Sequence, residues 1–218
     1  MSQEDTKATI ERTGIMPVLR ARSSLEAHAL VEALVAGGIT VMEVTMTVPG
    51  AVELLSALKK EFGQKLLLGS GTVTDADQAA ATIRAGAEFV VSPSFHPDVV
   101  ATTKALGKVA IPGALTPTEV ITAWRAGADY VKIFPCSAVG GASYLRALLA
   151  PFPDLKLIPT GGVTLETAAD FLKAGARALG VGTDLVNPKA IEEGKPEKVT
   201  ETARKYLEIA GKFREGSR

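Results

Sequence analysis

The sequence predicts an α/β protein built as a compact (β/α)8 TIM barrel, one domain over residues 1–218. Three observations carry this. Short apolar runs recur eight times, at Ile15–Arg20, Thr40–Thr45, Leu66–Gly69, Phe89–Ser92, Val109–Ile111, Tyr130–Phe134, Leu157–Thr160 and Ala178–Val181. Their starts are spaced by roughly 20–27 residues, room for one strand, one helix and two short turns. The runs are apolar throughout rather than alternating, which means burial on both faces and hence a parallel sheet. An open doubly wound sheet is the rival arrangement.

The intervening segments read as helices with punctuation at both ends. Ser23 with Glu26, and Thr116 with Glu119, have the spacing of capping boxes, and Pro117 suits a first helical position. Thr74 and Thr164 offer further N-caps. Ala36-Gly37-Gly38, Ala85-Gly86-Ala87, Ala126-Gly127-Ala128 and Ala174-Gly175-Ala176 place glycine where a helix stops before the next strand. An N-terminal helix at about 4–13 and a C-terminal one at about 196–213 complete the expected set, with no second domain.

Composition removes several classes of function. Twenty-four acids balance twenty-four bases, so neither a nucleic acid nor a membrane surface is an expected partner. The single cysteine, Cys136, excludes an internal disulfide and is expected to be a small buried hydrophobe. No signal-peptide core or spanning run is visible, and the expected setting is cytoplasmic. Two histidines, His28 and His96, cannot build a three-imidazole zinc centre, so no metal or other cofactor is expected. His28 is expected to pack on a helix surface and His96 to lie in a loop.

In this architecture chemistry sits at the C-terminal ends of the strands. Lys132 lies in the strand segment Ala-Asp-Tyr-Val-Lys-Ile-Phe-Pro. Burial strips a lysine of hydration and disfavours its charged form, and a neutral amine is what Schiff-base formation with a ketone requires. The plainer alternative is a lysine that reaches water or pairs with an acid. Glu43, in Ile39-Thr-Val-Met-Glu-Val-Thr45, is a carboxylate in an apolar run and therefore either paired or used. It reads as a general acid/base or as a structural ion-pair partner of Lys132. Thr160-Gly161-Gly162 and Gly182-Thr183 end the last two strands, the usual place for a phosphate pocket of backbone N–H groups. Asp184 beside that pocket is unfavourable to phosphate unless its side chain turns away.

Together these residues resemble the 2-keto-3-deoxy-6-phosphogluconate (KDPG) aldolase family, which includes 4-hydroxy-2-oxoglutarate (KHG) aldolases. The segments that carry the resemblance are Glu43-Val-Thr-Met-Thr-Val-Pro49, Gly69-Ser-Gly-Thr-Val73, Val131-Lys-Ile-Phe-Pro135 and Pro159-Thr-Gly-Gly162. It implies a metal-free class I aldolase, typically a homotrimer, with Lys132 forming the Schiff base to pyruvate and Glu43 moving protons. It further implies that Thr72 lines the pyruvate subsite and that Pro93 and Phe134 pack around the reacting carbons. Thr160, Gly161, Gly162, Gly182 and Thr183 would hold the phosphate of a phosphorylated aldehyde.

Many members carry an arginine four residues after the glutamate to bind the substrate carboxylate, and here that position is Thr47. Arg20, at the neighbouring strand end, is then the expected guanidinium for that carboxylate. The implied substrate is KDPG, cleaved to pyruvate and glyceraldehyde 3-phosphate, with KHG as the alternative. A sugar-phosphate isomerase and a catalytically silent trimeric scaffold stand further off.

Overall fold

The computed structural model describes residues 1–215. The strands are β1 (Ile15–Leu19), β2 (Val41–Thr45), β3 (Leu67–Gly71), β4 (Phe89–Val91), β5 (Val109–Ile111), β6 (Gly113–Ala114), β7 (Val131–Ile133), β8 (Leu157–Pro159) and β9 (Leu179–Val181). The helices are α1 (Gln3–Thr13), α2 (Ser24–Ala36), α3 (Ala51–Phe62), α4 (Ala76–Arg84), α5 (Pro97–Ala105), α6 (Pro117–Arg125), α7 (Ala142–Leu149), α8 (Ala168–Lys173), α9 (Pro188–Glu192) and α10 (Glu197–Glu215). A 3-10 turn at Cys136–Val139 precedes α7.

Neighbouring strands pair in parallel and in chain order, and β9 returns to β1. β5 and β6 are one stave interrupted at Pro112, which has no N–H to give to the ladder; its carbonyl still accepts from Lys132 N–H at 2.9 Å. β6, β7 and β8 continue the ring, and a bridge between Thr160 and Gly180 joins β8 to β9. Eight staves thus close the expected barrel, and the open-sheet rival is excluded.

The period-2 alternation of each strand decides which residues enter the barrel. Met16, Val41, Leu67, Phe89, Val109, Tyr130, Ile158 and Ala178 form an inner cluster, with Ile10 of α1 plugging its floor. The alternate residues, Leu19, Met42, Val44, Leu68, Val131, Ile133 and Leu157 among them, pack outward against the helices. Two positions beyond Val41 and Tyr130 the same faces carry Glu43 and Lys132, so both side chains are forced inward. Above the floor, glycines replace large residues. A Cβ on Gly69 would lie 2.1 Å from the Phe89 ring, and one on Gly71 would lie 1.9 Å from Glu43 Oε1. The side chains of the floor and of the site occupy the room that these two glycines leave.

The local signals held in part. Thr116 and Glu119 form both arms of a capping box. Ser23 accepts from Glu26 N–H, but the Glu26 carboxylate takes the Arg22 N–H instead, so only half a box exists. Asp75, not Thr74, caps α4 through the Gln78 N–H, because its carboxylate is the stronger acceptor at the residue where the helix turns. Thr164 starts a separate turn, closed by Thr167 Oγ1 on its N–H, and α8 begins only at Ala168. Gly86, Gly127 and Gly175 are left-handed as expected, whereas in the first unit Gly38 takes that role. Among the described residues no helix is long and apolar enough to cross a membrane.

Candidate active site

Lys132 projects inward from β7 and Glu43 from β2, across the barrel from one another. Lys132 Nζ stands 3.7 Å from Glu43 Oε1, with side-chain exposures of 4% and 0%. That separation exceeds a hydrogen bond. Neither oxygen of Glu43 accepts a hydrogen bond from the described residues, and the buried Thr160 hydroxyl is likewise unpartnered. Lys132 Nζ also lies 5.3 Å from the centre of the Phe134 ring, within range of a cation–π attraction. A buried ion pair that serves stability satisfies its remaining lone pairs by hydrogen bonds. This pair does not, which leaves both Glu43 oxygens free to take part in chemistry.

Phe134, the ring beside Lys132 Nζ, also borders an open space on the β8–β9–β1 side of the barrel. A cavity of about 460 Å³ is lined there by Arg20, Phe134, Thr160 and the Gly161-Gly162 and Gly182-Thr183 loops, together with Asp184. Gly161 and Gly162 both have positive φ (89° and 76°), which turns successive peptide groups and brings the loop backbone to the cavity edge. Gly162 is held by Thr167 Oγ1, which donates to its carbonyl at 2.9 Å, and Ser137 N–H donates to Gly161 O. Gly182 has no atom within 4 Å of where a Cβ would sit, so it borders open space. Arg20 is exposed and has no ion-pair or hydrogen-bond partner among the described residues.

The remaining sequence-predicted residues occupy the other side. Thr72 directly follows β3 with φ at 59°, the one positive value among the described non-glycine residues. For a β-branched residue that conformation costs about 1–3 kcal/mol, and such strain is typically kept at functional sites. Pro93 follows β4, half-buried, its carbonyl crowding against Gly113. Thr47, like Thr72, Pro93, Lys132 and Glu43, is not among the residues that line the cavity. It hydrogen-bonds Thr45 Oγ1 at 2.7 Å, and because Thr45 already donates to Leu19 O, Thr47 must be the donor.

Several groups stand apart. His28 binds Glu61 at 2.7 Å on the outer helices, and His96 contacts Ser94 at the start of α5. Cys136 is fully buried and burial pushes its thiol up to about 11, so it is an inert packing residue, as expected. Sequence reasoning passed over Gly71 as a seat for Glu43, although alternating glycines in a strand signal close approach. It also missed Tyr206 of α10, whose hydroxyl donates to Asp184 Oδ2.

The family profile of KDPG and KHG aldolases matches residues 6–202. The chain belongs to that family. It is a class I aldolase, a lyase of pyruvate chemistry. A 2-dehydro-3-deoxy-phosphogluconate aldolase of Treponema pallidum is 37% identical over 93% of this chain and 96% of its own length. A 2-dehydro-3-deoxy-6-phosphogalactonate aldolase of Escherichia coli is 36% identical over 78% of this chain and 83% of its own. Among solved structures, a KDPG aldolase from Legionella pneumophila, with pyruvate captured as a covalent carbinolamine, superposes with a TM-score of 0.84. It is 30% identical, over 91% of this chain and 96% of that one.

Proposed function

We propose that this aldolase cleaves KDPG to pyruvate and glyceraldehyde 3-phosphate, with Lys132 as the Schiff-base nucleophile and Glu43 as the proton shuttle. The observation that carries the reading is the buried Lys132–Glu43 approach at 3.7 Å, its carboxylate without a hydrogen bond from the described residues, beside a glycine-lined cavity that shares Phe134 with Lys132. Lys132, as the amine, attacks the C2 ketone, and loss of water gives a protonated imine. Glu43 accepts the C4 hydroxyl proton, directly or through water. The C3–C4 bond then breaks, its electron pair passing into the imine to give an enamine while the aldehyde leaves. Protonated Glu43 returns the proton to C3, and hydrolysis of the imine frees pyruvate and the amine.

In this proposal the pyruvate portion lies between Phe134, which lines the cavity, and Thr72 and Pro93 at the neighbouring strand ends, and the Thr160 hydroxyl meets a polar group near the reacting carbons. The distal phosphate lies on the Gly161-Gly162 and Gly182-Thr183 backbone. Arg20 shares the cavity with those loops and with Phe134 and Thr160, and its guanidinium suits the substrate carboxylate. Thr47, tied to Thr45, serves the site by holding the end of β2. The galactonate epimer and KHG differ at C4 and at the distal end, and the phosphate loops favour a phosphorylated substrate over KHG. A homotrimer in the cytoplasm completes the proposal; light scattering should give three times the 22.7 kDa chain mass.

The test is borohydride trapping with pyruvate, read by mass spectrometry of the peptide holding Lys132. A pyruvate adduct at Lys132 is expected. No adduct at saturating pyruvate would sink the assignment.

A further inference from the structure

Asp184 is the one acid lining the cavity, beside the loops assigned above to phosphate. A free carboxylate there would repel a phosphate dianion and compete for the same N–H donors. Tyr206 changes this situation. It lies on α10, fully buried, and its hydroxyl donates to Asp184 Oδ2 and sits 3.5 Å from the Val163 carbonyl. Val163 directly follows Gly161-Gly162, and Asp184 directly follows Gly182-Thr183. A single phenol from the C-terminal helix therefore touches both loops from behind. Burial, then the hydrogen bond and charge of Asp184, push the phenol's ionisation far above the physiological range, so it remains a donor.

We propose that Tyr206 is a positioning residue that sets preference for a phosphorylated substrate. It holds the Asp184 carboxylate toward α10, leaving the loop N–H groups to face the anion. This rests on the phosphate reading above. Nothing local in the sequence announces it, since the two residues meet across a tertiary contact.

The experiment is steady-state kinetics of wild type, Tyr206→Phe, Asp184→Asn and the double variant, with KDPG and with unphosphorylated KHG. Inorganic phosphate serves as a competitive inhibitor throughout. Tyr206→Phe is expected to raise KM for KDPG about tenfold and to weaken inhibition by phosphate, as release of a like charge near the anion requires. The kcat for KDPG and both constants for KHG stay within about twofold. Asp184→Asn alone changes little, and the double variant recovers the KDPG KM. Equal losses on both substrates, no loss on either, or no recovery in the double variant would overturn the positioning role alone. A wild type with no preference for KDPG and no inhibition by phosphate would overturn the phosphate reading and this role with it. Should Tyr206→Phe fail to fold, Asp184→Glu carries the same test. Its longer carboxylate cannot keep the phenol contact in place, and a KM rise confined to KDPG is expected. A change common to both substrates, or none, would overturn the role.

Discussion

The two ends of the barrel treat buried carboxylates in opposite ways. At the N-terminal floor, Glu88 precedes β4 and Asp129 precedes β7. Glu88 meets Lys108 at 2.6 Å and Lys59 at 3.3 Å, with the chain's N-terminal amine at 3.8 Å. Asp129 takes Lys104 at 2.7 and 2.9 Å and the Ala110 N–H at 2.9 Å. At the C-terminal end, Glu43 has one cation at 3.7 Å and no hydrogen bond from the described residues. Both sets are in the same fold and at comparable depth. The floor spends its polar groups on being finished, while the rim keeps an acceptor free. A site that must bind a proton and release it within one turnover cannot have its lone pairs filled beforehand.

The sharpest way to break this contrast is to exchange roles between the ends. Lys132→Ala should abolish pyruvate trapping and lower turnover by about 10⁴-fold or more, as loss of a covalent nucleophile does. Its melting temperature should also fall, because the buried Glu43 carboxylate loses its only cation among the described residues. Retained trapping and turnover in that variant would make the pair structural. Glu43→Gln should keep the trapped adduct yet lose about 10²–10⁴-fold in turnover, the range of one acid–base group. Full turnover in that variant would remove Glu43 from the chemistry.

Gly71→Ala addresses the same carboxylate without touching its charge. Its methyl would stand 1.9 Å from Oε1, so Glu43 must move, and turnover should fall by about tenfold to a hundredfold at constant charge. An unchanged rate would show that the seat of Glu43 is not limiting. Glu88→Gln is the floor's counterpart, and it should leave turnover intact. It should lower stability by about 1–2 kcal/mol in urea melts, less than a fully enclosed pair because its lysines are partly exposed. A loss of activity without a loss of stability would contradict the division of labour.

The smallest effect is on acid stability. Burial pushes the Glu88 carboxyl up from its ordinary value, but the Lys108 hydrogen bond and the charges of Lys108, the N-terminus and Lys59 outweigh this and hold it below that value. A carboxylate lowered on folding contributes stability above its unfolded value near 4.5 and loses it as pH falls through the folded one. The wild type should therefore lose stability more steeply than Glu88→Gln below about pH 4.5. Parallel curves would deny Glu88 that part.

Much of this was legible in the chain. The eight strands, the Thr116–Glu119 capping box and the burial of Lys132 and Glu43 in apolar strand segments all follow from local pattern. What escaped is tertiary or depends on competing donors. Asp75 outbid Thr74 for a helix N-terminus, α8 gave up its first turn to Thr164–Thr167, and Tyr206 met Asp184 through the packing of α10. Arg20 follows β1, as its place at a strand end implied, and lines the cavity.

Gly182 has a use of a different kind. Gly69 and Gly71 make room for protein atoms, whereas the space a Gly182 side chain would occupy is empty and its backbone needs no left-handed turn. A methyl there meets only whatever molecule lies in the cavity. The position therefore acts as a ruler, and lengthening that one side chain by steps should shorten the longest aldehyde the enzyme can make or break, without touching the parts that do the chemistry.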